Sequence, residues 1–181
     1  MPAIDDLLYS LTEWLRTTPL PEFSLWIADQ PLSKAMGNRF LTIPLLQTTH
    51  IIAIATAFSA VLMTNLRILG WSGAGQTMAQ TNHRYRPWIV GALLTLIATG
   101  LGLIVAEPVR ELINPIFWIK MVMIAGLILV SLAFGAIVHR QINQTDPGAI
   151  GSTTARVGAI ALLLLWCLVI IAGRWIAYAP T

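Results

Sequence analysis

The sequence predicts an all-α membrane protein, a bundle of four transmembrane helices preceded by an N-terminal amphipathic interfacial helix. Hydrophobic residues make up 56% of the 181 residues and charged residues only 10%, against about 25% charged residues in a typical soluble domain. Four stretches with few or no charges are long enough to cross a hydrocarbon core of about 30 Å. In lipid an open chain satisfies its backbone hydrogen bonds only as a helix, so each stretch is predicted to be helical.

The four predicted spans occupy residues 40–66, 87–106, 115–139 and 155–178. No formal charge falls between Arg39 and Arg67, whereas Lys120 lies just inside the start of the third span. Two regions follow from this division of the chain. Residues 1–39 are predicted to form a separate interfacial segment, and residues 40–181 are predicted to form the transmembrane bundle.

The N-terminal segment carries the pattern of an amphipathic helix, with apolar residues at spacings of three and four. These residues are Ile4, Leu7, Leu8, Leu11, Trp14 and Leu15. A short helix of this kind is expected to lie in the membrane interface rather than to cross it. The alternative is that its apolar face packs on a partner protein.

Arginine distribution predicts the orientation in the membrane. The loop between the first two spans carries Arg67, Arg84 and Arg86 without an acid, and Arg140 and Arg156 flank the loop between the last two spans. The positive-inside rule therefore places both loops in the cytoplasm and both termini in the periplasm of a bacterial cytoplasmic (inner) membrane. No basic cluster is interleaved with aromatic residues, so the lipid bilayer and not nucleic acid is the expected environment.

His50 is the sharpest candidate for a functional residue, because ionisable side chains inside a membrane usually mark functional sites. It lies about ten residues into the first span, roughly 15 Å deep at 1.5 Å per residue. Gln47 precedes it on the same helical face, and small residues continue that face beyond it: Ala53, Ala57, Ala60 and Thr64. Three roles remain open for this imidazole, namely a haem axial ligand, a copper ligand or a structural hydrogen-bonding group.

Other side chains are candidates for the same cofactor site. Lys120 and Arg67 are candidates for compensating the charge of a cofactor such as a haem propionate, although a lysine or arginine near a span end also serves as an interfacial anchor. Met121 and Met123 are candidates for a sixth haem ligand, since methionine and histidine together suit haem iron. No Cys-x-x-Cys-His motif is present, which excludes covalent haem attachment.

Copper is the alternative cofactor. His83 and His139 lie at the same predicted end of spans two and three, where they are candidates for a second cofactor or metal site. Soft sulfur ligands combined with imidazole suit Cu(I), and Cys167 and the methionines supply the sulfur. The alternative for the two interfacial histidines is simple solvation.

The second span carries Gly91, Thr95, Thr99 and Gly102 along one face. Small residues at this spacing are typical of close helix packing. The alternative is that the same face lies against the plane of a cofactor.

Five motifs together resemble a group of uncharacterised four-helix bacterial inner-membrane proteins. The motifs are Pro44, Gln47-x-x-His50, Asn65-Leu66-Arg67-Ile68-Leu69-Gly70, Thr99-Gly100 and Asn114-Pro115-x-Phe117-x-x-Lys120. Gln47 and Asn65 stand where that group has glutamate and aspartate. More distantly, the order of motifs is similar to the copper-resistance D membrane domain and to the HemJ-type protoporphyrinogen oxidase.

The resemblance to the HemJ-type enzyme implies haem b on His50, with Arg67 and Lys120 contributing to the site, whereas the copper-resistance resemblance implies metal handling. We therefore expect a b-type cytochrome-like membrane protein, or a haem-bearing subunit, that transfers electrons between quinone and a periplasmic redox partner or other membrane subunits. The alternatives are a copper transporter or binding protein, and a cofactor-free structural subunit of a larger complex. An enzymatic role in porphyrinogen oxidation is implied by analogy alone.

Overall fold

The computed structural model describes residues 2–73, 75–143 and 153–175, and their side chains over 6–73, 75–136 and 153–175. These residues form eight helices and no strand. The helices are α1 (Pro2–Arg16), α2 (Leu20–Asp29), α3 (Pro31–Gly37), α4 (Thr42–Leu69), α5 (Met78–Ala106), α6 (Pro108–Leu112), α7 (Pro115–Asn143) and α8 (Thr153–Trp175). The all-α prediction is confirmed.

Helices α4, α5, α7 and α8 are long and apolar enough to cross a membrane. Their most apolar windows have mean hydropathies of 1.8 to 2.5, yet only 17% to 33% of each window is buried inside the protein. Large apolar side chains such as Val122, Leu129 and Leu132 are exposed instead. In water such a surface would be strongly unfavourable, so lipid is the solvent that these helices require. The chain is a multi-pass membrane protein with a four-helix bundle.

The largest difference from the predicted span boundaries lies at the start of the second span. Helix α5 begins at Met78, nine residues before the predicted start of the second span at Pro87. Proline removes one backbone donor inside a helix, but the carbonyl that loses its partner belongs to His83, an exposed residue whose backbone water can reach. The predicted end of the fourth span, at residue 178, lies outside the described residues.

The amphipathic helix α1 packs against its own chain along one edge of its apolar face. Leu15 and Thr12 are buried, and Leu8 joins a cluster formed by Leu112, Ile116 and Phe117, to which Ile27 of α2 and Ile104 of α5 also belong. The other edge of the face is free, since Leu7 and Trp14 are 56% and 62% exposed. Helix α1 therefore divides its apolar surface between the protein and its surroundings.

The chain divides into two compact units. The first unit comprises residues 1–52, 95–122 and 171–181, and the second unit comprises residues 53–94 and 123–170. The core of the first unit is the cluster around Phe117. The core of the second unit consists of Ile68, Leu69, Met78, Ala155 and Ala159, with Phe134 packed against it.

Helix α4 ends in a glycine-dependent cap. Gly70 has a φ of +79°, a left-handed conformation that only glycine adopts without strain. The amide of Trp71 donates to the carbonyl of Leu66 at 2.9 Å, which is the hydrogen bond of a Schellman motif. The Arg67-Ile68-Leu69-Gly70 sequence thus encodes the end of the first span. The arginine after the apolar run predicted that the span would end near this point.

Candidate functional site

His50 is half-buried in the first unit and is hydrogen-bonded to a neighbouring helix. Its Nδ1 lies 2.7 Å from Oγ1 of Thr99 on α5. The same hydroxyl lies 2.7 Å from the carbonyl oxygen of Thr95, one turn earlier in α5. The histidine and the two threonines therefore form a short chain of polar groups in an otherwise apolar part of the bundle.

The geometry restricts where the protons lie. A carbonyl oxygen can only accept, so the Thr99 hydroxyl must donate its single proton to Thr95 for that contact to be a hydrogen bond. Oγ1 then accepts from His50, which requires a proton on Nδ1. This is the one assignment that makes both contacts hydrogen bonds. In the neutral imidazole it leaves Nε2 as an available lone pair, and a lone pair on one nitrogen with the other held by a hydrogen bond is how histidine usually binds a metal.

Gly100 lies against the imidazole ring of His50. A Cβ atom at this position would lie 3.6 Å from Cε1 of His50, and one at Gly102 would lie only 3.1 Å from the side chain of Leu46. The Thr99-Gly100 motif therefore has two physical roles. Its threonine orients the histidine, and its glycine lies against the ring, whereas the close approach of α4 to α5 depends on Gly102.

Lys120 is the second predicted site residue in the first unit. Its side chain is half-buried and passes over Gly173 of α8, where a Cβ atom would lie 3.6 Å from Cε and 3.7 Å from Nζ. Its ammonium group acts on the carboxyl of Glu111, which lies in the same unit. The structure therefore places the predicted site residues His50 and Lys120 in the same unit.

Glu111 lies in the short helix α6 and is partly buried beside Lys120. Burial raises the pKa of the Glu111 carboxyl, because the charged form loses its hydration, and the nearby Lys120 ammonium offsets part of this rise. The sequence alone did not identify this residue. Its signal was an acid only nine residues before Lys120, separated from it by a helix break at Asn114-Pro115.

Asn114 and Pro115 position Lys120. The fully buried Asn114 side chain accepts a hydrogen bond from the amide of Ile116 at 2.9 Å, as a cap at the start of α7. Pro115 occupies the first helical position, where its missing N–H costs nothing. Phe117 is buried one turn before Lys120. The motif is therefore mainly a helix start that fixes the direction of the lysine.

Arg67 belongs to the second unit and is occupied with its own helix end. Its Nε–H donates to the carbonyl of Gln76 at 2.9 Å. A Cβ atom on Gly73, which has a φ of +70°, would lie 3.0 Å from Cδ of Arg67. The arginine thus ties the last turn of α4 to the loop that follows it.

Asn65 lies two residues before Arg67 and is buried in the second unit. Its Nδ2 donates to the carbonyl of Val61 at 2.8 Å, whereas its Oδ1 has no hydrogen-bond partner among the described residues. An aspartate here, as in the group that the motifs resemble, would place a full charge at this buried position. The asparagine avoids that cost and leaves a single neutral acceptor unsatisfied.

The remaining predicted ligands are dispersed. Met121 is in the first unit and 42% exposed, whereas Met123 is half-buried and belongs to the second unit. His83 is exposed on α5, and the His139 side chain lies outside the described residues. Cys167 is a free, exposed thiol on α8. In the part of the chain that the structure describes, no group of three or more His, Cys, Asp or Glu side chains is arranged to hold a metal ion.

Comparison with known proteins yields one match. The sequence pattern of a family of unknown function, DUF6644, matches residues 30–179, so that it includes His50, Thr99 and Lys120 but not α1. No curated protein and no solved structure matches the chain.

Proposed function

The chain belongs to the DUF6644 family, and from that premise we propose that it is a b-type cytochrome-like membrane protein or the haem-bearing membrane subunit of a redox complex. The observation that carries the proposal is the hydrogen-bond chain from His50 through Thr99 to Thr95. It holds the imidazole in the tautomer whose Nε2 can bind iron.

The residues around His50 fit a haem of the b type. Haem b would supply one-electron redox chemistry, with a potential set by its axial ligand and its burial. Thr99 keeps the proton on Nδ1 and fixes the orientation of the ring, which raises the basicity of Nε2. Lys120 supplies a cation in the same unit for an acidic substituent such as a propionate. Met121, also in the first unit, is the candidate for a sixth ligand.

The proposed cellular setting follows from the arginine distribution and the motifs. Arginines in the first and third loops favour a bacterial cytoplasmic membrane with both termini in the periplasm. Electrons would then pass between membrane quinol and a periplasmic partner that docks on the N-terminal segment. The resemblance to the HemJ-type protoporphyrinogen oxidase supports haem b on His50 as well.

An absorption spectrum tests the proposal. The protein is expressed with haem supplementation and purified in detergent, and a reduced-minus-oxidised spectrum is recorded for the wild type, His50→Ala and His83→Ala. His83 is the matched control, since it is the exposed histidine of α5. We expect haem absorption in the wild type and in His83→Ala, and its loss in His50→Ala.

A folded wild-type protein without a Soret band would reject the haem proposal. Metal analysis of the same samples tests the copper alternative, which requires copper in the wild type and less of it in His50→Ala. The absorption spectrum and the metal analysis together distinguish haem from copper, and neither measurement requires a partner protein.

The His50–Thr99 hydrogen bond also favours a second candidate, a cofactor-free structural subunit. In that case His50 serves only to join α4 to α5. Removing it would lower stability by about 0.6 kcal/mol, the mean for hydrogen bonds between membrane helices. The spectrum would then be featureless for wild type and variant alike.

A further inference from the structure

The second unit contains a small polar cleft at the end of α4. Its volume is about 80 Å³. A cavity volume of roughly 10–15 Å³ is enough for one water molecule, so the cleft has room for a group larger than a water molecule. The cleft is lined by Met63, Arg67, Ser72, Gly73, Gln76, Thr81 and Tyr85. The lining therefore combines one cation with several hydroxyl and amide groups, which is the composition of an anion site.

Arg67 is pre-organised in this cleft. Its Nε is held by the carbonyl of Gln76, and its Cδ packs on Gly73. None of the ion pairs among the described residues involves Arg67, so no carboxylate from these residues neutralises it. A guanidinium fixed through Nε still has its two Nη groups, which form the planar fork that suits phosphate oxygens.

The surroundings of the cleft also favour an anion of the membrane surface. Residues 67–86 contain three arginines and no acid, so the local field is positive. Trp71 and Trp88 are 77% and 63% exposed. Tryptophans at the ends of membrane spans usually lie at the level of the lipid head groups.

We propose that this cleft binds a phosphate group through the guanidinium of Arg67, assisted by the hydroxyls of Ser72 and Tyr85. The phosphate belongs either to an anionic lipid head group or to a soluble phosphate. This site is independent of the proposed haem site, since it uses other residues in the other unit.

Calorimetric titration of the purified protein in a neutral maltoside detergent tests the proposal. The probes are inorganic phosphate, dihexanoyl phosphatidic acid and, as a lipid without phosphate, dihexanoylglycerol. We expect saturable binding of at least one phosphate probe to the wild type and to Arg86→Gln, in which an exposed arginine outside the cleft loses the same charge. Arg67→Gln should bind roughly tenfold more weakly or worse, because it loses a charged donor.

Tyr85→Phe keeps the proposal testable if Arg67→Gln fails to fold, because it removes only a hydroxyl. Its affinity should fall by about threefold to tenfold, the equivalent of one ordinary hydrogen bond. Binding of inorganic phosphate, with or without the phosphatidic acid, would identify a soluble phosphate site. Binding of the phosphatidic acid alone, without binding of dihexanoylglycerol, would identify a lipid site, whereas equal binding of these two lipids would show that the phosphate is not recognised. The proposal is overturned if folded wild type binds neither probe saturably, or if Arg67→Gln and Tyr85→Phe bind as well as Arg86→Gln does.

Discussion

At the scale of single residues, one hydroxyl group decides what the imidazole of His50 can do. Thr99 can donate only one proton, and the carbonyl of Thr95 takes it, so Oγ1 is left to accept from Nδ1. Without this acceptor the ring would be free to exchange tautomers and to rotate. The chemistry of the proposed site therefore depends on a threonine that orients the proposed ligand His50.

Thr99→Val tests this positioning role. The substitution removes the acceptor while keeping a β-branched side chain, so we expect haem affinity to fall by about 10- to 100-fold, as for other residues that orient a ligating histidine. The measurement is haem titration of the purified apoprotein followed at the Soret band. The midpoint potential should shift as well, which a purely structural role for Thr99 would not produce.

Thr49→Val is the matched control for this prediction. Thr49 is exposed on α4 next to His50, and its hydroxyl donates to the carbonyl of Leu45 within the same helix. The Thr49→Val substitution should leave haem affinity unchanged. Equal losses in the two variants would mean that hydroxyl removal disturbs α4 and α5 in general, and the positioning role of Thr99 would be wrong.

At the scale of helices, α7 and α8 pack through a glycine in the second unit. A Cβ atom on Gly158 would lie 2.6 Å from two ring carbons of Phe134, a separation that van der Waals contact does not permit. Helix α8 continues its buried stripe through Ala155, Ala159 and Trp166. Small residues thus allow the close approach, and the aromatic ring fills the space beside them.

Gly158→Ala is expected to destabilise the protein by about 1–3 kcal/mol, the usual cost of overpacking a core. Thermal unfolding in detergent measures the loss. Gly135→Ala on α7 is the control, because a Cβ atom there meets nothing within 4 Å. Adding Phe134→Leu to Gly158→Ala should recover part of the stability, and a double variant no better than the single one would contradict the packing account.

At the scale of the whole molecule, lipid takes the place that a hydrophobic core has in a soluble protein. At most a third of the most apolar window of any span is buried by other parts of the chain. The helices are nevertheless held in position by a few local devices, namely the cap at Gly70, the asparagine at the start of α7 and the glycine contacts.

Orientation in the membrane is a prediction at this scale. In a Cys167→Ser background, the exposed Ser10 and Asn82 are each replaced by cysteine, and intact cells are treated with a membrane-impermeant maleimide. The positive-inside rule predicts labelling of Ser10→Cys without cell lysis, and labelling of Asn82→Cys only after lysis. Labels in the reverse pattern would show that the termini face the cytoplasm.

The described fold was largely predictable from the sequence, and the candidate site only in part. Hydropathy located all four spans, although the true start of α5 at Met78 was missed because Pro87 reads as a helix boundary. His50 and Lys120 were identified by their charge inside apolar runs. Glu111 was not identified, since nothing in the local sequence pattern shows that its side chain is partly buried in the fold.

The sequence by itself determined that this is a four-span membrane protein with a histidine at depth. The hydropathy of a segment and the length of an apolar run depend only on residues that are neighbours in the sequence, so both can be evaluated without knowledge of the fold. Only the tertiary structure decided that Nδ1 of that histidine is hydrogen-bonded to Thr99, 49 residues away. It also decided that the side chain of Lys120 lies against Gly173. Contacts between helices depend on how the helices are rotated and spaced, and that geometry arises only when they pack.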